Sequence, residues 1–540
     1  MAPNRIVSLH MVDSRLLLKG GKVWDGTHQP AITSLLIEGN RILSTGTDDQ
    51  LSARVGPGTQ IVDLKGRRVI PGLIDSHIHM VRAGLRWSEI VRWNEVQSLG
   101  DALELIRDAA AKSSAADFAG AGQWVAVLGG WHPGQFAEGR PPTKAELDDA
   151  GEGHPVYVQR SYVEGHLNTS ALAAVTFPES AVVDHATGHV VGQPALGVCN
   201  AQLGLPDFET QISGTREMIS EFHRLGLTGA IDTAGFGMTP ELYEASSQVQ
   251  KSGGHPFRHR MLVGPGSPGN EIDEIERWST ILDAGSDDDF FRYLGFGEVF
   301  LFGAHDMEGL VPKDITGQID GLAVIFERIA RSDWPIHVHA ILDESVSATL
   351  DAWDQVVGQG VTPVTGSAIT HGDGVSGRDL ERIQSLGLGL TIQNGMAFRG
   401  EDSVPSWGAD RVAQSPPLRT ILEHGIPIAA GTDGSVASSY NPWVSLAWMV
   451  NGTPVHSGPG LDASQLLTRD EALTLYTSGS AWFSGESVDR GNLSPGSLAD
   501  IAVLSDDFLT TGEDRLSSIT SDLTIVDGEV VFAAPDLLAP

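Results

Sequence analysis

The chain has 540 residues, with 69 acidic and 35 basic side chains and a formal charge of −34. That length exceeds one ordinary core and predicts a large domain with a smaller companion, while 41% hydrophobic and 19% charged residues exclude long disorder. The charge excludes a nucleic-acid binder that tracks phosphates with Lys and Arg, and it repels an anionic membrane surface.

Met1 to Asp13 show no basic segment leading into a long apolar run, and no stretch reaches the ~20 apolar residues that span a bilayer. The first strands are predicted at Arg15–Trp24 and Ser34–Leu43, with Gly39-Asn40 as the hairpin turn inside the second run. Gln60–Leu64 and Arg68–Pro71 follow with the same character. From there, short apolar runs alternate with helical periods. The runs are Trp124–Leu128, Gly229–Asp232, Ile336–Ala340, Ala368–His371 and Ile426–Ala430; Leu103–Ala110 and Leu380–Leu386 have helical spacing. This alternation predicts a parallel α/β fold, and a (β/α)8 barrel is its natural form. There are more candidate strands than eight, so the Gly-, Pro- and His-rich stretch from about 131 to 206 reads as an insertion over the barrel mouth. Asp500–Leu504 and Leu523–Phe532, with Asp527-Gly528 as a turn, resemble the N-terminal strands. The expected division is therefore a small β-sandwich domain from residues 1–70 and 488–540, and a barrel from 71–487. The text around Gly264-Pro-Gly reads as turns rather than a phosphate loop.

Polar residues at the ends of these runs carry the chemistry. In Pro71-Gly-Leu-Ile-Asp-Ser-His-Ile-His79, strand alternation puts His77 and His79 on one side, where two imidazoles can hold one metal. His339 ends Ile336-His-Val-His, with His337 on the same face as a lesser candidate, and His371 ends Ala368-Ile-Thr-His. Asp433 follows the apolar run Ile428-Ala-Ala-Gly-Thr, where a buried carboxylate needs a partner or a metal. Such ends converge where barrel active sites form. The single cysteine, Cys199, excludes an internal disulfide framework, has no Cys/His pattern around it, and agrees with a reducing cytoplasm, the expected location.

On these residues, together with Val163-Glu-Gly-His-Leu-Asn168, Ser438–Trp448 and Gly491–Leu504, the chain resembles the metal-dependent amidohydrolase superfamily. The resemblance is greatest to the long-chain branch that includes N-substituted formamide deformylases. It implies a divalent metal, Zn2+ foremost, as one or two ions. His77 and His79 would bind the first ion, His339 and His371 would serve a metal or polarise the scissile carbonyl, and Asp433 would be ligand and general base. Many relatives carry a carboxylated lysine at the fourth strand; here no lysine lies between Lys251 and Lys313, and Glu298 is the replacement, with His305 and Asp306 as backups. Trp131, Tyr162 and His166 resemble substrate-pocket residues of the branch. The expected reaction is hydrolysis of a linear N-formyl or N-acyl amine. The alternatives are a cyclic amide or carbamate hydrolase or a deaminase on the same site; a non-catalytic barrel is disfavoured by the intact set of ligands. The partner is a small molecule, with no nucleic acid and no membrane; a homodimer is compatible with the sequence. The overall negative field predicts a preference for neutral or cationic substrates.

Overall fold

The computed structural model describes residues 15–26, 32–115, 124–235, 237–282, 288–304, 306 and 315–537. Met1 to Asp13 and His305 lie outside them. Eight parallel strands form one curled sheet, ordered as they occur in the chain: β1 (Leu73–Ile78), β2 (Leu227–Asp232), β3 (Arg258–Val263), β4 (Phe291–Glu298), β5 (Ile336–Ala340), β6 (Ala368–His371), β7 (Gly389–Gln393) and β8 (Ile428–Gly431). The chain just after β8 returns to β1, where Asp433 N donates to His77 O at 2.8 Å and His79 N to Gly434 O at 2.9 Å. Strands β1, β2 and β8 are buried along their whole length, as expected for a parallel sheet covered by helices on one face and filled by side chains on the other.

The covering helices follow from local sequence. Ile319–Arg331 buries Leu322, Ile325, Phe326 and Ile329, a stripe at three- and four-residue spacing. Gly377–Leu386 starts where Ser376 accepts a hydrogen bond from Asp379 N and stops at Gly387, whose φ of +69° fits a helix end. No helix of the described residues is long and apolar enough to cross a membrane.

Both chain ends enter one two-layered unit. One sheet contains Arg15–Lys19, Ser34–Glu38, Arg41–Gly46 and Gln60–Asp63. The other contains Lys22–Val23, Arg68–Pro71, Ile501–Leu504, Ser521–Val526 and Glu529–Ala533. Val69 pairs with Val503, so the N- and C-terminal segments share a sheet. Leu16, Leu35, Ile37, Val69, Ile501 and Leu523 belong to one buried cluster between the layers.

A third sheet, from Val125–Leu128 to His189–Val191, stands apart from the barrel. Val125–Leu128 pairs with Val156–Arg160 and with no barrel strand. The run Trp124–Leu128, read from sequence as part of the barrel alternation, thus belongs to the excursion. The helix Leu99–Ala115 packs against Lys144–Gly151 of the same excursion. An apolar run of this length looks the same in either sheet; only pairing distinguishes them.

Candidate metal centre and substrate cavity

Five strand ends deliver six side chains to one point. β1 supplies His77 and the following His79; β4 and β6 end in Glu298 and His371, and β5 carries His339 one residue before its end; Asp433 follows β8. Glu298 lies in the middle. Its Oε1 is 3.3 Å from His79 Nε2, and its Oε2 is 3.1 Å from His339 Nδ1, 3.5 Å from His371 Nε2 and 3.6 Å from His77 Nε2. Asp433 Oδ1 is 3.2 Å from His79 Nε2 and 3.6 Å from His77 Nε2. His371 and Asp433 hold φ of 73° and 53°, a left-handed conformation that costs a non-glycine residue about 1–3 kcal/mol and persists only where surrounding contacts fix it. Here the adjacent hydrogen bonds from Gly372 N to Ala340 O and from Asp433 N to His77 O do so.

An outer layer holds the first. Asp75 Oδ1 accepts from His77 N at 3.0 Å and Thr432 N at 3.1 Å, and its Oδ2 accepts from Thr432 Oγ1 at 2.6 Å. Asp75 therefore fixes the β1 ligands to the β8 end, and burial pushes its carboxyl up to about 7. Asp232 accepts from Val81 N and Ala234 N at 2.8 and 2.9 Å, and Ala234 O meets His79 Nδ1 at 3.2 Å. Asp306 accepts from Leu342 N at 2.7 Å, and its Oδ1 is 3.1 Å from His339 Nε2. Asp306 thus stands behind His339, the usual place of a carboxylate that orients a ligating imidazole, while Glu298 faces the four histidines. His337 lies one layer deeper, with Nε2 3.0 Å from Gly366 O and its ring against Phe483.

The donor set suits a divalent transition metal: four imidazoles and two carboxylates on a rigid strand-end platform. His371 gives the sharpest test of fit. Burial, then His339, lowers its pKa to about 4, so the ring is neutral. Its Nε2 is buried with no hydrogen-bond partner, although Glu298 Oε2 is 3.5 Å away. In the tautomer protonated on Nδ1, the Nε2 lone pair faces this carboxylate, which is repulsive unless a cation lies between them. At this centre three sets of ligating atoms come within 4.8 Å of one another: His77, His371 and Asp433; His77, His79 and Glu298; and Glu298, His339 and His371.

The electrostatics agree. Burial opposes ionisation of Glu298, but His77, His339, His371 and His79 outweigh it and hold the carboxyl well below its usual range. Asp433 is likewise depressed, with His77 and His79 overcoming burial. Burial disfavours a charged His79, but Asp433 and Glu298 outweigh it and raise the ring to about 10 from 6.5. Without a cation, then, a proton on His79 offsets the carboxylates. Its stabilising effect on the cation-free fold is complete below about 6.5 and is lost as pH rises through about 10. Metal uptake must displace that proton. Between pH 7 and 9, Zn2+ binding to chelator-treated protein is expected to release protons and to tighten about tenfold per pH unit for each proton displaced. Dye-monitored titration in weak buffer measures both, and pH-independent uptake would refute the coupling.

A cavity of about 240 Å3 abuts the centre at His79. Tyr162 lines it, with Arg82, Trp87 and the Ser435-Val436 loop. Trp131 and His166, which resembled substrate-pocket residues, lie elsewhere. Trp131 is buried between Trp93 and Phe136, with Nε1 donating to Gln159 O. His166 stacks on His189 at 5.2 Å beside Glu164. Neither lines the cavity. Cys199 is buried among apolar side chains, which pushes its thiol up to about 12 and leaves it no nucleophilic role. The sequence reading gave no role to Asp75, Asp232 or Arg82. The signal for the two acids was a carboxylate inside or ending an apolar strand; Arg82 carried none.

A parallel barrel whose strand ends gather imidazoles and carboxylates defines a metal-dependent hydrolase. The chain belongs to the amidohydrolase family, whose sequence model matches residues 60–532. It is 22% identical over 528 residues to the N-substituted formamide deformylase of Arthrobacter pascens, spanning 92% of this chain and 94% of that protein. Among solved structures it is similar to an uncharacterized metal-dependent hydrolase from Pyrococcus furiosus (TM-score 0.66, 21% identity, 92% of this chain and 100% of that one). It is also similar to atrazine chlorohydrolase TrzN from Arthrobacter aurescens TC1 complexed with zinc (TM-score 0.54, 16% identity, 96% and 95%). At these identities the two structures speak for the fold alone.

Proposed function

We propose that the protein hydrolyses the C–N bond of a small linear amide, an N-formyl or N-acyl amine, with Asp433 as general base. The observation that carries this reading is the position of Asp433: its carboxylate, held anionic, faces His77 and His79 at the strand ends. Likeness to a formamide deformylase over nearly the whole chain supports the substrate class. A divalent cation held by the histidines and Glu298 would lower the pKa of a water molecule and polarise the scissile carbonyl. Asp433 takes the proton of the attacking water and returns it to the leaving nitrogen, so that the amine departs neutral. His371, kept neutral by burial, would serve the cation as a ligand or polarise the scissile carbonyl. Glu298 is common to two of the three ligand sets, the position of an anionic bridge if two ions bind.

Asp433→Asn keeps the shape and removes the base. It is expected to lower kcat on N-formyl amines by about 100- to 10,000-fold, with metal content measured in parallel by mass spectrometry. Unchanged turnover would refute the base role. Turnover of cyclic amides or aminopurines in place of formamides would replace the substrate class while leaving the centre intact.

A further inference from the structure

The cavity beside His79 has a charge pattern opposite to that of the whole protein. Among the described residues that line it are Arg82, Arg86 and Arg92, and none is Asp or Glu. With 69 acidic against 35 basic residues in the chain, a cavity holding only cations departs from the average surface.

The three arginines differ in what they already touch. Arg92 lies over Trp87 at 4.3 Å and donates to the carbonyls of Trp87 and Ile90. Arg86 is 3.5 Å from Glu89 and donates to Leu203 O. Arg82 is the one at the metal centre's edge. Its Nη1 donates to Tyr162 OH at 3.2 Å. Its Nη2 would lie 2.8 Å from a Cβ at Gly235, and His79 Cε1 would lie 3.1 Å from the same point. Glycine at 235, with φ of +87°, thus leaves room for guanidinium and imidazole side by side. Asp232, which accepts from Val81 N and Ala234 N, also interacts electrostatically with Arg82. Trp87, Ile90, Val91 and Leu128 supply an apolar wall.

We propose that this cavity is an anion-recognising subsite and that the substrate is an amide bearing a carboxylate on an apolar body. The proposal rests on the amide-hydrolase reading of the adjacent centre. Arg82, with Tyr162 OH beside it, receives the carboxylate through the planar, always-charged donor geometry that suits such groups. The apolar wall takes the body, and the amide carbon points past His79 to Asp433. The expected preference reverses the one drawn from net charge, because a cavity within a few ångströms of its ligand is governed by local groups rather than by a screened surface field.

Two matched substrates test it: N-formylphenylalanine, and N-formylphenethylamine, which lacks only the carboxylate. Wild-type kcat/KM is expected to favour the acid by about 100-fold, mainly through KM. Arg82→Met should collapse that ratio, Arg82→Lys should restore part of it, and Gly235→Ala, which crowds Arg82 without removing it, should lower it. A preference for the neutral amide, or a ratio that Arg82→Met does not move, overturns the subsite. Binding of 3-phenylpropanoate, which has no amide to hydrolyse, to the zinc-loaded protein, followed by calorimetry, separates the two readings. Binding weakened at least tenfold by Arg82→Met with neither formamide turned over upholds the subsite and defeats the amide-hydrolase reading. Turnover of the neutral formamide without Arg82-dependent binding does the reverse.

Discussion

Glu298→Ala is expected to remove metal and turnover together. The carboxylate contacts four imidazoles within 3.6 Å, and burial leaves water no way to replace it. Loss of an outer partner alone costs a metal site about 10- to 100-fold in affinity, so loss of this central group should weaken Zn2+ binding by at least about 100-fold, with turnover falling in step. Glu298→Gln separates shape from charge. It fills the same volume, but it cannot hold His79 protonated or serve as an anionic ligand, and it should fail nearly as badly. Competition against a chromogenic chelator measures the affinity. Retention of wild-type metal content and activity by both variants would show that Asp433 and the histidines suffice, and would remove Glu298 from the ligand set.

The second large effect lies at the opposite end of the barrel. Arg258 opens β3 fully buried. Its Nε and Nη2 meet Asp500 at 2.8 and 3.1 Å, and Nη2 meets Asp527 Oδ1 at 2.8 Å. Arg490 Nε reaches the same Asp500 at 3.1 Å. These groups join the barrel to the sheet built by the chain termini. The Coulomb attraction of such a network roughly offsets its desolvation, but deleting one member strands the others without water. Arg258→Met should therefore destabilise the protein by about 3–5 kcal/mol, read as a lowered urea midpoint. Adding Asp500→Leu should cost less than the sum of the single changes, because the pair couples. A midpoint within error of wild type would show that the network contributes nothing net.

The same residues explain what was hard to read. β3 has the sequence Arg-His-Arg-Met-Leu-Val and is buried throughout. No apolar-run rule finds it, because its charges are paid for by Asp500 and Glu486, more than 220 residues away in sequence. β2, β5, β6 and β8 were legible because their apolar residues lead to a polar residue at or near the strand's C-terminal end. Trp124–Leu128 misled for the converse reason: its residues fit any buried strand, and the partner Val156–Arg160 decides its sheet. The hairpins at Gly39-Asn40 and Asp527-Gly528 were legible because a tight turn needs φ above zero, and Gly39, Asp527 and Gly528 supply it at 58°, 55° and 79°.

The sequence by itself determined the class of fold and the donor types: strand–helix alternation, an HxH at the end of a strand, and isolated His and Asp residues ending later strands. It did so because period, turn chemistry and the cost of a lone buried carboxylate are local properties. Only the tertiary structure decided what faces what. It set Glu298 rather than Asp306 among the four histidines, turned Trp131 and His166 away from the cavity, and brought Arg82 to the edge of His79. Those outcomes depend on which distant strands are neighbours. The three arginines at that cavity carry the sign opposite to the formal charge of −34, because a sum over 540 residues carries no information on the sign of the few groups that line one cavity.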